Sequence, residues 1–565
     1  MARPEPLAVV RAYHDRTKHH PARYARSLGY MDWATQPDPF RTYAGAERLP
    51  LDHPPLRAAP TYDALFTGAV APLPVGREAI SRLFYDSLAL SAWKQAPGTR
   101  PWSLRVNPSS GALHPTEGYL LAGPVPGLSD APGVYHYAPY WHALERRLTF
   151  EPARWQRLTA DLPQPCVLVG LTSIYWREAW KYGERAFRYC HHDVGHAIGT
   201  VTFAARTLGW RARLLDGVAP DDLARLLGVH DQQGPEAEHP DGLLVLYPEG
   251  AAAPPGPPRL RVGETWSSAF QGQANRLSHE HHDWPVIDEV SLATRQAAAA
   301  EYSVPSTQSE GGVRGGAELT EYSVLSTQPA APADRGLPAQ QIIRQRRSAV
   351  DMDGRTTLPA PAFYALLDRL LPGRYAVPFA VLPWEPCTSL LLFVHRVDGV
   401  EPGMYVLVRH PGHEASLRAH LRPDAVWGKP AGCPEGLPLY LLVAGEARRA
   451  AKLASCQQDI AADGAFAVAM LCEFEPRLRR AGASFYPKLF WETGLIGQVL
   501  YLEAEAAGLR GTGIGCFFDD TTHHYAGLSE QTWQDLYHFT LGGAVEDPRL
   551  KTIPPYAHLE GAATS

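Results

Sequence analysis

The stretch from about Ser291 to Gln340 cannot contribute to a packed core, and its position inside a 565-residue chain divides the rest into two bodies. It is rich in Ala, Ser, Gly, Gln and Pro, so it buries too little apolar surface to offset the entropy of ordering it, and it reads as a flexible tether. Within it Glu301-Tyr-Ser-Val-Pro-Ser-Thr-Gln308 returns as Glu321-Tyr-Ser-Val-Leu-Ser-Thr-Gln328. Two copies are too few for a solenoid. Length points the same way, because one hydrophobic core rarely serves more than ~250–300 residues. The run Ala251-Ala-Ala-Pro-Pro-Gly-Pro-Pro258 closes a first globular region, since consecutive prolines remove amide donors. After it, Trp266, Phe270, Leu277, Trp284 and Ile287 are too apolar for a solvated tail. The expected organisation is an N-terminal arm over 1–60, a first domain with a wrapping extension over 61–290, a linker over 291–340 and a second domain over 341–558.

Both halves mix short apolar runs with helical patterns, which predicts an α+β fold with a central sheet flanked by helices. Cys166 to Thr172 and Leu437 to Ala444 read as central strands, while Asp193 to Leu208 and Leu495 to Leu509 carry helix-spaced apolar positions. Each long helix is preceded by an acidic-x-Gly step, Asp193-Val-Gly195 in one half and Glu492-Thr-Gly494 in the other. That correspondence implies duplication of a subunit whose ancestor paired symmetrically, and hence an intramolecular pseudo-dimer. Gly511-Thr-Gly-Ile-Gly515 reads as a loop after a helix and before a Cys-Phe-Phe strand, which is the wrong context for a dinucleotide-binding fingerprint.

The formal charge of -6 is small and the arginines are scattered, which excludes a nucleic-acid footprint. No apolar stretch is long enough to span a bilayer and the N-terminus has no signal-peptide core, so a cytoplasmic protein without membrane contact is expected. Seven cysteines, widely spaced and without a C-x-x-C pair, read mostly as reduced packing residues. No metal is expected either, because neither His279-Glu-His-His-Asp283 nor His191-His-Asp193 has the spacing of a zinc helix.

Two segments carry binding chemistry. Arg346, Arg347 and Ser348 offer guanidinium forks and a hydroxyl suited to a phosphate and a polyol chain. In Asn107-Pro-Ser-Ser-Gly-Ala-Leu-His114, Gly111 lets the main chain approach a flat heterocycle while Ser109 and Ser110 add hydroxyls. Read alone, the first is equally a charge run with Ser348 as a helix cap, and the second an ordinary turn. With Tyr13 to Lys18, Trp102 to Glu117, Trp176 to Arg185, Trp491 to Gly497 and Gly511 to Asp519, they resemble the nitroreductase-like flavoproteins, and within them the SagB-type dehydrogenase branch in a tandem form.

The resemblance implies FMN at the interface between the halves, held by Arg346, Arg347, Ser348, Gly513 and Gly515 of the second half and Ser109, Ser110, Gly111 and Leu113 of the first. His114 is expected to face it. A mirror-image site would use Arg16, Thr17 and Lys18, but its turn, Pro378-Phe-Ala-Val-Leu-Pro-Trp-Glu-Pro386, has bulky residues and no glycine, so it is expected to be degenerate. By the same resemblance Lys181 and Tyr182 are the catalytic pair that helps remove a proton as hydride leaves, with Arg177, Arg185 and Arg188 lowering the lysine pKa. The implied activity is an FMN-dependent oxidoreductase acting on a small or peptide-derived substrate, with NAD(P)H or oxygen as donor or acceptor. The alternatives are NAD(P)H-dependent reduction of nitro or quinone compounds, and a non-catalytic flavin-binding or complex-organising protein.

Overall fold

The computed structural model describes residues 4–262, 269–302 and 334–560. Trp266, most of the expected linker and nearly all of its internal repeat lie outside them. The edges of that linker are ordered. A helix over Pro285–Tyr302 runs past residue 291, and Arg335 pairs with Asp63 at 2.7 Å. Low apolar content hid both, because a run of alanines propagates a helix without a core-facing pattern.

The first half is built on a seven-stranded sheet: β1 (Glu47–Pro50), β2 (Thr116–Ala122), β3 (Gly133–Ala138), β4 (Ala143–Thr149), β5 (Val167–Ser173), β6 (Trp210–Leu214) and β7 (His239–Pro248), in the order β1-β4-β3-β2-β5-β7-β6. The second half has six: β8 (Thr388–Val394), β9 (Gly403–Leu407), β10 (Leu439–Ala444), β11 (Phe466–Glu473), β12 (Arg510–Ile514) and β13 (Trp533–Gly542), in the order β10-β9-β8-β11-β13-β12. Without the edge strand β1 the two orders are the same, and every ladder in both sheets is antiparallel. The protein is therefore an α+β fold of two like halves, as the sequence leads one to expect.

Two expected elements differ. Leu439–Ala444 is an edge strand, not a central one, since an apolar run is the same whether one or both neighbours are present. Gly511 to Ile514 is not a loop but part of edge strand β12, and Cys516 to Phe518 leads into a helix over Asp519–Ala526.

The halves meet along their central helices, α1 (Ala186–Thr207) and α2 (Tyr486–Ala506). Both begin about two turns earlier than the apolar periodicity suggests, and in α1 the added stretch holds Arg188, His191 and His192, buried through polar contacts. Their crossing is at the two acidic-x-Gly steps. A Cβ on Gly195 would fall 2.9 Å from Gly494 Cα and inside contact of the Trp491 carbonyl, so only glycine permits this approach. The arms are exchanged: the helix Pro6–Arg16 docks on the second half through Arg11 and Glu475, and the helix Ala339–Gln345 docks on the first through Arg344 and Asp86. Strand Lys551–Ile553 completes a small sheet with Leu90–Gln95 and Trp102–Arg105. Among the described residues no helix is long and apolar enough to cross a membrane, and no cluster of His, Cys, Asp and Glu could hold a metal ion.

Candidate active site between the two halves

The helix Ala339–Gln345 ends against the first half and delivers Arg346, Arg347 and Ser348 to the turn after Trp102–Arg105. Between them lies a cavity of about 350 Å³ lined by Asn107 to Ala112, Arg346 to Val350, Arg510, Gly513, Tyr501 and Tyr537. Of the residues expected to meet there, Ser109, Ser110, Gly111, Arg346, Arg347, Ser348 and Gly513 do, and His114 also lines it. Leu113 and Gly515 do not. Leu113 packs into the apolar cluster of Trp176 and Trp180, and Gly515 lies under the Tyr189 ring, in a space that a Cβ would fill.

The cationic end is partly satisfied from within. Arg347 donates to the carbonyls of Ser91 (2.7 Å) and Arg344 (2.9 Å), and burial holds its pKa down at about 10. Arg346 is buried and donates to the carbonyls of Val106 (3.3 Å) and Arg105 (3.2 Å), yet its Nη1 has no partner among the described residues. Burial likewise lowers its pKa. Ser348 and Tyr501 share a hydroxyl–hydroxyl bond of 2.8 Å, and the Gly513 amide donates to the same Tyr501 oxygen (2.9 Å). Across the cavity the fully buried Asn107 amide has neither its oxygen nor its nitrogen bonded. Buried polar groups without partners are rare, and each implies a ligand or solvent that completes it.

The turn itself is strained. Gly111, Ala112 and His114 all have positive φ (63°, 56° and 53°), which only glycine adopts freely. It is held by Ser109, whose hydroxyl oxygen accepts from the His114 amide (2.8 Å) while its O–H donates to Glu178 Oε1 (3.5 Å). The Ser110 amide donates to Asp193 Oδ1 (3.3 Å). Two buried carboxyls thus lie beneath the turn, and Glu178 Oε2 and Asp193 Oδ2 have no hydrogen-bond partner among the described residues. Burial pushes the Asp193 carboxyl up to about 8 and raises that of Glu178, which the negative charge of Asp193 raises further. The pair holds at least one proton at neutral pH.

Lys181 and Tyr182 close the other face of Gly111. A Cβ there would lie 3.0 Å from Lys181 Nζ and 2.9 Å from the Tyr182 hydroxyl. The Tyr182 ring stacks on Tyr189 at 4.2 Å. The neighbouring arginines expected to act on Lys181 are engaged elsewhere, because two buried carboxylates hold all three of them. Arg177 pairs with Glu117, and Arg185 and Arg188 bind Asp519 at 3.1 and 2.8 Å. The acidic neighbour of Lys181 is Glu178, whose pKa burial and Asp193 raise despite the lysine.

The mirror-image position is built differently. Arg16 pairs with Glu184, Lys18 with Asp520 at 3.1 Å, and Thr17 accepts from Arg188 at 3.0 Å. Trp384 of the corresponding turn is half-buried and packs on Phe485 at 5.6 Å. Glu492, the counterpart of Asp193, accepts from the amides of Cys387 (2.9 Å) and Thr388 (3.2 Å), but it also binds Arg409 at 2.7 Å.

No family model matches the chain. A crystal structure described as a putative nitroreductase from Anabaena variabilis superposes with a TM-score of 0.66 at 22% identity, covering 95% of this chain and 99% of that one, which shows the shared two-half fold. In sequence, the Methanocaldococcus jannaschii protein "Putative nitroreductase MJ1384" is 38% identical over 149 residues, which cover 25% of this chain and 68% of that relative. With that identity over two thirds of a relative, on top of the fold, the chain belongs to the nitroreductase family of oxidoreductases.

Proposed function

We propose that the protein is an FMN-dependent oxidoreductase of the SagB-type dehydrogenase branch, a tandem pseudo-dimer with one working site. The observation that carries this reading is the meeting, in one cavity, of unbonded buried donors from the second half (Arg346 Nη1) with an unbonded buried amide from the first (Asn107). A flavin mononucleotide has both needs, a dianionic phosphate and a ring edge with donors and acceptors, so the residues fit it.

Arg346, Arg347 and Ser348 would hold the phosphate and ribityl chain, and Asn107 with the Ser109–Gly111 main chain would hold the ring edge. When bound, the flavin supplies two-electron redox chemistry, exchanging hydride with the substrate. The chain supplies orientation and proton handling. Lys181 Nζ and the Tyr182 hydroxyl sit together at Gly111, where a proton can be passed to or from a substrate seated at the turn. Glu178, one helical turn before Lys181, keeps that lysine beside a carboxyl able to share the proton. The substrate is small or peptide-derived, and NAD(P)H or oxygen completes the redox cycle. The engaged cations and Trp384 at the mirror position support a single flavin per chain.

The test is the absorbance spectrum and flavin content of the purified protein beside Arg346→Ala and Ser110→Trp. One FMN per chain, lost in both variants, is expected. Two per chain would refute the single-site reading, and none after reconstitution would refute flavin dependence.

A further inference from the structure

The seven cysteines read as isolated in sequence, but two of them meet. Cys456 and Cys516, 60 residues apart, have their sulfurs 2.8 Å from each other, and each thiol is only partly buried. No other pair of cysteines makes a sulfur–sulfur hydrogen bond among the described residues. The main chain holds them there. Gln458 donates to the Cys516 carbonyl (2.9 Å), Phe518 donates to the Ala454 carbonyl (2.7 Å), and Cys456 and Gln457 both have positive φ (54° and 61°), a conformation that non-glycine residues rarely adopt.

The two sulfurs are not equivalent. The Cys456 S–H bond and the nearby Arg185 guanidinium lower the pKa of Cys516, while the same pairing and burial raise that of Cys456. Arg185 is fixed beside Cys516 by its bond to the Gly515 carbonyl (3.3 Å). Tyr24, whose side chain bonds Cys456, is half exposed at 51%, and both thiols are themselves partly open, so the pair lies close to the surface.

We propose that Cys456 and Cys516 form a redox-active pair that closes to an intramolecular disulfide by exchange with a low-molecular-weight disulfide such as glutathione disulfide. Cys516 attacks as thiolate, forming a mixed disulfide and releasing one glutathione thiolate, which takes up a proton. Cys456 then gives up its proton and attacks Cys516 Sγ, displacing the second glutathione. Two protein thiols are oxidised and one disulfide is reduced to two thiols, so electrons and protons balance.

The full-length protein would be equilibrated with glutathione disulfide, quenched by acid, and its thiols counted under denaturing conditions with peptide mapping by mass spectrometry. The count is expected to fall from seven to five with a single Cys456–Cys516 cross-link. Cys456→Ser is expected to stop at one glutathionyl group on Cys516, and Cys516→Ser to remain unmodified at Cys456. An unchanged count, a cross-link between other cysteines, or glutathione retained on Cys456 in Cys516→Ser would each overturn the proposal.

Discussion

Replacing Asp193 by asparagine should stabilise the protein, and increasingly so as the pH rises. The carboxyl is buried under the Ser109–Gly111 turn and its pKa is pushed up to about 8 from an ordinary 3.8. Folding therefore takes up a proton that the unfolded chain releases. The sign follows: this group's favourable contribution is complete below about pH 4 and is lost as the pH climbs to about 8, at ~1.4 kcal/mol per pH unit for one proton. Over that interval the upper limit is roughly 5–6 kcal/mol, and sharing of the proton with Glu178 brings the expected difference to ~2–3 kcal/mol. Asparagine keeps an oxygen to accept from the Ser110 amide and has nothing to ionise. Urea unfolding of wild type and Asp193→Asn at pH 5 and pH 8 measures this directly. The gain should be small at pH 5 and ~2–3 kcal/mol larger at pH 8. Equal gains at both pH values would refute the reasoning, because the effect would then be packing rather than ionisation.

Gly111→Ala would place a methyl 2.9 Å from the Tyr182 hydroxyl at a φ of +63°, so it should lower stability by ~1–2 kcal/mol in thermal unfolding and displace Tyr182, with a matching fall in turnover. Gly494→Ala meets the His192 carbonyl and Gly195 Cα at 2.9 Å, backbone that cannot retreat, and should lower stability by ~3 kcal/mol or abolish soluble expression; Gly508→Ala, with open space around it, should cost about 1 kcal/mol. Arg409→Met leaves Glu492 as an uncompensated buried charge and should cost ~3–5 kcal/mol in urea unfolding, most of it recovered in the Arg409→Met, Glu492→Gln double variant.

What was legible in the sequence was local chemistry. A turn of small residues and a run of two arginines announce themselves through residue type alone, and they do meet in space. The acidic-x-Gly steps were visible because each glycine answers a steric demand at the helix crossing. The second layer was not legible. Tyr501, Tyr537 and Arg510 reach the cavity from a helix and strands of the second half with no local signature, and Glu178 lies under Ser109 because of tertiary packing across 69 residues. Its spacing of three before Lys181 was the one available hint, since that places both on one helical face. Leu113 and Gly515 lie outside the cavity for a geometric reason. Each is one or two residues beyond the stretch that touches the cavity, where the backbone has already turned its next side chain, or its missing one, toward the core.

The clearest argument for a single working site comes from comparing Asp193 with Glu492. The halves share a strand order, a helix crossing and an acidic group whose oxygens accept from the turn's amides. In the second half Arg409 pairs with that acid, both side chains are fully buried, and the turn carries Trp384 packed on Phe485. In the first half no cation among the described residues binds Asp193 within hydrogen-bond reach, and two carboxyls are left with an oxygen that bonds none of those residues. Packing alone would favour the ion-paired solution, which this same fold demonstrably accommodates. Local features that lower stability without structural compensation concentrate where function requires them. The half that keeps the unpaired acids also keeps the glycine turn, Lys181 and Tyr182, and faces Arg346 with an open cavity, whereas the half that pairs its acid with Arg409 carries Trp384 in its turn. The second half thus acts on the site in two ways, by supplying the cationic wall and by anchoring the crossing helix against which the strained turn is held.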